Sequence, residues 1–130
     1  MSDRIYNAII LLDEPGGRHF YSWLRDKKKL IETRMKNMIP EGDIVICCSN
    51  GSMTADRGKA SLIVRAGKGR PMTKEDEALA CIESVPGRIA FDVSDHRYFS
   101  RKFDFTRCKV GGTYQAIFQI KIPDDVQILN

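Results

Sequence analysis

Apolar positions in this chain fall into short runs separated by clear breaks, and their spacing switches between strand and helix periods. Ile5 to Leu12 is β-branched and aliphatic almost throughout and reads as a buried strand, ended by Pro15-Gly16-Gly17. Phe20, Trp23 and Leu24 then fall at i, i+3 and i+4, the apolar stripe of a short helix, and the lysines that follow suit its C-terminus. After the turn at Pro40-Glu41-Gly42, Asp43 to Ser49 predicts a second strand and Ser49-Asn50-Gly51-Ser52 a loop. Lys59 to Ala66 predicts a third strand that stops at Gly67-Lys68-Gly69-Arg70-Pro71. Thr73 and Asp76 have the spacing of a capping box, and Glu75, Asp76 and Glu77 suit a first helical turn. Leu79, Ile82 and Val85 carry an apolar stripe on to Pro86-Gly87. Ile89, Phe91 and Val93 alternate, as do Tyr114, Ala116, Phe118, Ile120 and Ile122, which predicts one long final strand.

This order of elements is not the regular βαβ alternation of a doubly wound sheet. About five to six strands with two or more packed helices predict an α+β fold built on a small mixed β-barrel. With 130 residues and 42% hydrophobic content, the chain is expected to make a single domain over 1–130. Its apolar runs fall short of the roughly 18 to 20 residues that span a bilayer, and its start lacks a secretory signal, so a cytoplasmic protein with no membrane partner is expected. The four cysteines fit that setting: Cys47 and Cys48 are adjacent in a strand and point to opposite faces, and Cys81 and Cys108 are isolated, so neither a disulfide framework nor a zinc site is expected. Gly51 to Lys59 mimics a phosphate loop but has the wrong glycine spacing, Ala60 where a hydroxyl is needed, and a strand where a helix should follow. No cofactor and no metal are expected.

Charge changes the picture. The net charge of +4 is modest, but Arg57 to Lys74 holds six basic residues and no acid, and Arg25 to Lys36 holds six more against Asp26 and Glu32. Such runs are commonly a solvated face. Two of them flanking one apolar strand favour an anionic partner, nucleic acid first.

Within the run from Arg25 to Lys36 lies Lys29-Leu30-Ile31-Glu32-Thr33-Arg34. Lys29 and Glu32 share a face if the chain makes a helical turn, and Glu32 and Arg34 share one only if it is extended, so a turn running into a strand unites all three. Leu30 and Ile31 would anchor the segment in a core while the charged residues stay out of it. Glu32 between two cations can accept from an exocyclic amino group of a base, and Lys29 and Arg34 can hold phosphate or carbonyl oxygens. The plain alternative is a surface salt bridge contributing at most about 1 kcal/mol.

The pattern KxxExR ahead of a Gly-Asp-apolar strand, here Lys29, Glu32 and Arg34 leading to Gly42-Asp43-Ile44-Val45-Ile46, resembles the signature of the ASCH (activating signal cointegrator homology) family. Gly58-Lys59 before an aliphatic strand, Ile89-Ala90-Phe91 and Val110-Gly111-Gly112 follow in that family's order. The resemblance implies a PUA-like fold with a cleft at the KxxExR segment, used for RNA or modified nucleosides. The family motif usually has a glycine two residues before the lysine, where this chain has Lys27. Some similar proteins hydrolyse acetylated cytidine with a lysine-activated threonine, whose position corresponds to Glu32 here, and others are proposed ribonucleases.

Three readings follow. The first is RNA or nucleotide binding, with Lys29, Glu32 and Arg34 reading a base, Ser49 and Asn50 nearby, and Arg65, Lys68 and Arg70 holding the backbone; single-stranded DNA is an alternative ligand. The second is a small hydrolase on a modified nucleoside, or a metal-independent ribonuclease, with Lys29 and Glu32 as catalytic residues. The third is a protein interaction domain. Thr33 is expected to face away from Glu32 and Arg34, Trp23 to pack in the core, and His19 and His96 to serve structure. Nothing in the sequence sets an oligomeric state.

Overall fold

The long apolar runs become strands buried on both faces, which is why they lack the alternation of a half-exposed sheet. The computed structural model describes residues 4–107 and 109–129, so the expectation for Cys108 lies outside the described residues. In chain order the elements are β1 (Ile5–Leu11), α1 (Phe20–Arg25), β2 (Ile31–Arg34), β3 (Gly42–Cys48), β4 (Lys59–Ala66) and β5 (Arg70–Pro71). A 3₁₀ turn (Lys74–Asp76), α2 (Glu77–Ala80), β6 (Ile89–Asp104), β7 (Lys109–Val110), β8 (Thr113–Tyr114) and β9 (Phe118–Lys121) complete the order.

The main sheet runs β2-β6-β4-β3-β1-β9, with β5 also paired to β6. β1 and β3 are parallel, and the other pairs are antiparallel. The fold is therefore α+β and mostly strand, with two short helices. The hydrogen-bonded ladder stays open among the described residues, since β2 pairs only with β6. Ile44, Ile46 and Cys48 join Leu62 and Val64 in a cluster covered by Tyr21 and Leu24 of α1. Val45 and Cys47 point the other way, to Ala60, Ile63, Phe99, Phe103 and Ile122. Cys47 and Cys48 thus face opposite sides, as the pleat requires. Among the described residues no helix is long and apolar enough to cross a membrane.

The first helix ends in a Schellman motif. Lys27 N–H donates to Leu24 O (3.1 Å) and Lys28 N–H to Trp23 O (2.8 Å). Lys27 takes the left-handed position of that motif, φ +64°, where glycine is the usual occupant.

Several expected boundaries move. The second helix was expected to continue to Val85 but stops at Ala80, with Cys81 at φ +58°. Ala80 O is taken by the Lys29 ammonium, and Ser84 N–H donates to the Glu77 carboxylate (2.7 Å) in place of a helical carbonyl. Thr73 and Asp76 do form the capping box. The strand expected from Tyr114 to Ile122 is broken: Thr113 and Tyr114 belong to a hairpin turning at Gly111-Gly112, and only Phe118–Lys121 reaches the main sheet beside β1. Between them Gln115 O accepts from Arg107 Nη1 (2.9 Å), which takes that carbonyl out of the ladder. β6 instead is the long strand, 16 residues, because a left-handed Asp95 and shifts in register let it bend without ending.

Candidate functional site

Strand β2 is the edge of the sheet, and the chain enters it from the Schellman turn with Lys29 pointing inward. Lys29 N–H donates to Trp23 O (2.9 Å), and its side chain is 1% exposed. Its Nζ donates to Ile31 O and Ala80 O, both at 2.6 Å, and lies 3.4 Å from Glu32 Oε1 and 5.3 Å from the Phe20 ring centroid. Two of the ammonium's three N–H donors are thus taken by carbonyls, and the Glu32 carboxylate lies within ion-pair distance. Burial lowers the Lys29 pKa, and the Glu32 carboxylate beside it opposes that shift. The expectation that Leu30 would anchor the segment while Lys29 stayed out is reversed: Lys29 is buried, and Leu30 is only partly so. Ile31 does sit in a small core with Met72, Ala80 and Ala90.

Glu32 and Arg34, two apart in an extended strand, share a face. Glu32 is 6% exposed, and its Oε2 lies 3.0 Å from Arg34 Nη2. The turn-into-strand geometry therefore unites the three charged residues. Arg34 Nη2, although close to Glu32, is not aligned for a hydrogen bond, and Arg34 Nε is likewise buried without one.

The ladder to β6 shows what the open edge offers. Val93 N–H donates to Leu30 O (2.9 Å), and the register pairs Ile31 with Asp92 and Glu32 with Phe91. In an antiparallel pair, hydrogen-bonded residues alternate, so Glu32 and Arg34 turn their backbone groups to β6, Leu30 gives it only its carbonyl while its N–H donates to Leu79 O (2.8 Å), and Ile31 and Thr33 turn theirs outward. The Ile31 carbonyl goes to Lys29. Thr33, whose N–H and C=O lie on this open side of the strand, lines a cavity of about 210 Å³.

Across that cavity from β2 stands the end of β1, Ile10 and Leu11, followed by Leu12; Phe20, Ile82 and Arg88 complete the wall with Lys29, Glu32, Thr33 and Arg34. β1 and β2 do not pair, yet both line this space, so the sheet curls until its two sides face each other. Thr33 was expected to face away from the charged pair. Its Oγ1 lies 3.5 Å from Arg88 Nη1, and it reaches the cavity around the free edge. Arg88 went unread in the sequence. It directly precedes β6, and only the pairing of Arg34 with Ile89 brings it here.

The other expected site residues lie elsewhere. Arg65 is exposed on the far face of β4, between Val64 and Ala66, which both belong to the cluster on the near face. Lys68 is exposed in the turn between β4 and β5. Arg70 is held by Asp76 and Asp92. None of the three lines the cavity, so the structure does not place a backbone-holding basic patch there. Ser49 and Asn50 line a second cavity, about 350 Å³, with Phe105, Thr106, Arg107 and Tyr114. Ile10 belongs to both cavities. His96 Nε2 is 3.0 Å from Leu24 O, and His19 packs edge-on against Trp23. Among the described residues no group of three His, Cys, Asp or Glu side chains is placed to hold a metal ion.

No family model matches the chain, and no curated protein matches it significantly. The chemistry of the site is therefore argued from its geometry. It combines an acceptor carboxylate fixed between two cations, an unpaired strand backbone with one donor and one acceptor, two guanidinium groups, and apolar walls.

Proposed function

We propose that this chain is an RNA- or nucleotide-binding module of the ASCH type, holding one unstacked base in the cavity at the edge of β2. The observation that carries this reading is the open edge itself. Thr33 N–H and C=O beside the Glu32 carboxylate form a row of donor and acceptors such as the hydrogen-bonding edge of a base requires. Arg34 and Arg88 at the same cavity suit phosphate oxygens. Pockets for drug-sized ligands run to roughly 300–1,000 Å³, and about 210 Å³ suits a smaller guest such as a single base. The left-handed Lys27 stands where the family has glycine, and the curl that sets β1 opposite β2 agrees with a PUA-like barrel. Free thiols at Cys47, Cys48 and Cys81 suit a cytoplasmic setting.

Binding is favoured over hydrolysis because of Lys29. To act as a base it must give up a proton while two carbonyls hold its N–H groups and the Glu32 carboxylate beside it favours the charged form. Glu32, in turn, is occupied by Lys29 and Arg34.

The test is binding of short single-stranded RNA, single-stranded DNA and nucleosides at low salt, followed by fluorescence anisotropy and competition. Arg34→Ala and Arg88→Ala should each weaken RNA binding about tenfold or more, and added salt should weaken it further. Wild-type affinity in both variants, or no binding to any of these ligands, would remove the reading.

A further inference from the structure

The second cavity opens from the same end of β1, and its lining has a different character. Ser49 and Asn50 form one wall, Phe105, Thr106, Arg107 and Tyr114 the other, and Ile10 is shared with the base cavity. Among the described residues no acidic side chain lines it. Tyr114 is 52% exposed, and the Arg107 guanidinium lies 4.6 Å and the Lys109 ammonium 5.1 Å from its ring centroid. Phe105 stacks on Phe118 with ring centroids 5.9 Å apart, which fixes it as a firm apolar floor. The Ser49 hydroxyl accepts from Gly51 N–H (3.1 Å), leaving its own proton free to donate outward. An exposed aromatic ring flanked by cations, with hydroxyl and amide groups opposite and no carboxylate, matches what a base and its phosphate need in a sequence-tolerant strand-binding site.

We propose that this cavity seats the nucleotide adjacent to the one held at Thr33, so that the ligand is a single strand running across Ile10 from one cavity to the other. The inference rests on the base-cavity reading above. It extends that reading from a nucleoside to an oligonucleotide. Tyr114 supplies the stacking surface, Arg107 and Lys109 the charge for the phosphate, and Ser49 and Asn50 hydrogen bonds to the sugar or base edge. The hairpin of β7 and β8 then has a role that its few ladder bonds do not explain: it carries the ring and one of the cations to the end of β1.

The experiment compares a nucleoside monophosphate with di- and hexanucleotides of RNA and of DNA, using the whole chain. Affinity should rise about tenfold or more from mono- to dinucleotide. Tyr114→Ala and Arg107→Ala should erase that rise while leaving the monophosphate unchanged, and Tyr114→Phe should keep it. A stronger rise for RNA than for DNA would place the Ser49 and Asn50 contacts on the 2′-hydroxyl, and an equal rise would place them on the base; both outcomes support the strand. If mono- and dinucleotides bind equally, the second seat is overturned while the base cavity stands. If no nucleotide binds, but an acidic or extended peptide does, both readings are overturned. Because Tyr114 is half exposed, a melting curve unchanged in Tyr114→Ala separates lost stacking from a misfolded hairpin.

Discussion

Two arginine–carboxylate clusters flank the beginning of β6, and they are completed to different degrees. On one side Arg70 gives Nη1 and Nη2 to Asp76 (2.8 and 3.1 Å) and Nε and Nη2 to Asp92 (3.3 and 3.0 Å), and Asp76 also accepts from Thr73 N–H. On the other side Arg34 meets Glu32 through Nη2 alone, with Nε unbonded, and the strand that carries it leaves the Thr33 backbone unpaired. The first cluster has its donors satisfied within the fold; the second leaves Arg34 Nε and Nη2 buried without a hydrogen bond. A basic residue's membership in a charged run therefore says little about whether it is available. What decides availability is how many carboxylates and carbonyls the fold has already brought to it.

That contrast can be broken most forcefully at Lys29. Lys29→Ala leaves Glu32 buried beside one remaining cation and strips two carbonyls of their donor, so urea unfolding should show a loss of about 3 kcal/mol or more. A loss under 1 kcal/mol would mean that the ammonium is not the clamp described here. Next come the two arginines themselves. Arg70→Ala should cost about 1–2 kcal/mol of stability and leave RNA binding intact, whereas Arg34→Ala should do the reverse. Equal behaviour of the two variants would erase the distinction between closed and open clusters.

A finer probe is Thr33→Pro. Proline is tolerated on an edge strand where the missing N–H faces outward, so the ladder to β6 should survive while binding falls several-fold, with Thr33→Ala close to wild type. Unchanged binding in the proline variant would show that the free N–H is not used. Lys27→Gly relieves a left-handed side chain and should raise stability by about 1 kcal/mol. Smallest of all is an acid effect in the closed cluster. Arg70 and the Thr73 N–H hold the Asp76 pKa down, to about 2. A depressed carboxylate stabilises the fold fully above its ordinary value of 3.8 and loses that contribution as pH falls through about 2. The Arg70→Ala variant should accordingly have a flatter stability profile across that interval.

The parts of the fold legible in sequence are those set by neighbours along the chain. β1, β3 and β4 announce themselves as continuous apolar runs, and the Thr73–Asp76 capping box follows from spacing. Lys29, Glu32 and Arg34 share a site because turn and strand periods meet there. What escaped depends on distant partners. The burial of Lys29 needs the carbonyl of Ala80, far along the chain, and the early end of α2 is the other half of the same fact. Arg88 and the outward Thr33 backbone emerge only once β2 is registered against β6. The polar second half of β6, with Phe99 and Phe103 four apart, carries no clear strand period in sequence, and its bulged register hides the rest.

β6 also sets the rate at which this region can come apart. β2 is bonded along one side of its start through Phe91 and Ile89, β5 along the other through Ala90, and β4 further on, while Ser100 and Tyr98 exchange bonds with Gln127 and Leu129 near the chain's end. A strand fastened on both sides is among the last to exchange its amide protons with solvent. Glu32 and Arg34 are zipped to it, so the wall they form is ordered before any ligand arrives. Association then carries little cost of arranging that wall, and encounter should be governed by diffusion and charge steering instead of by waiting for the site to form.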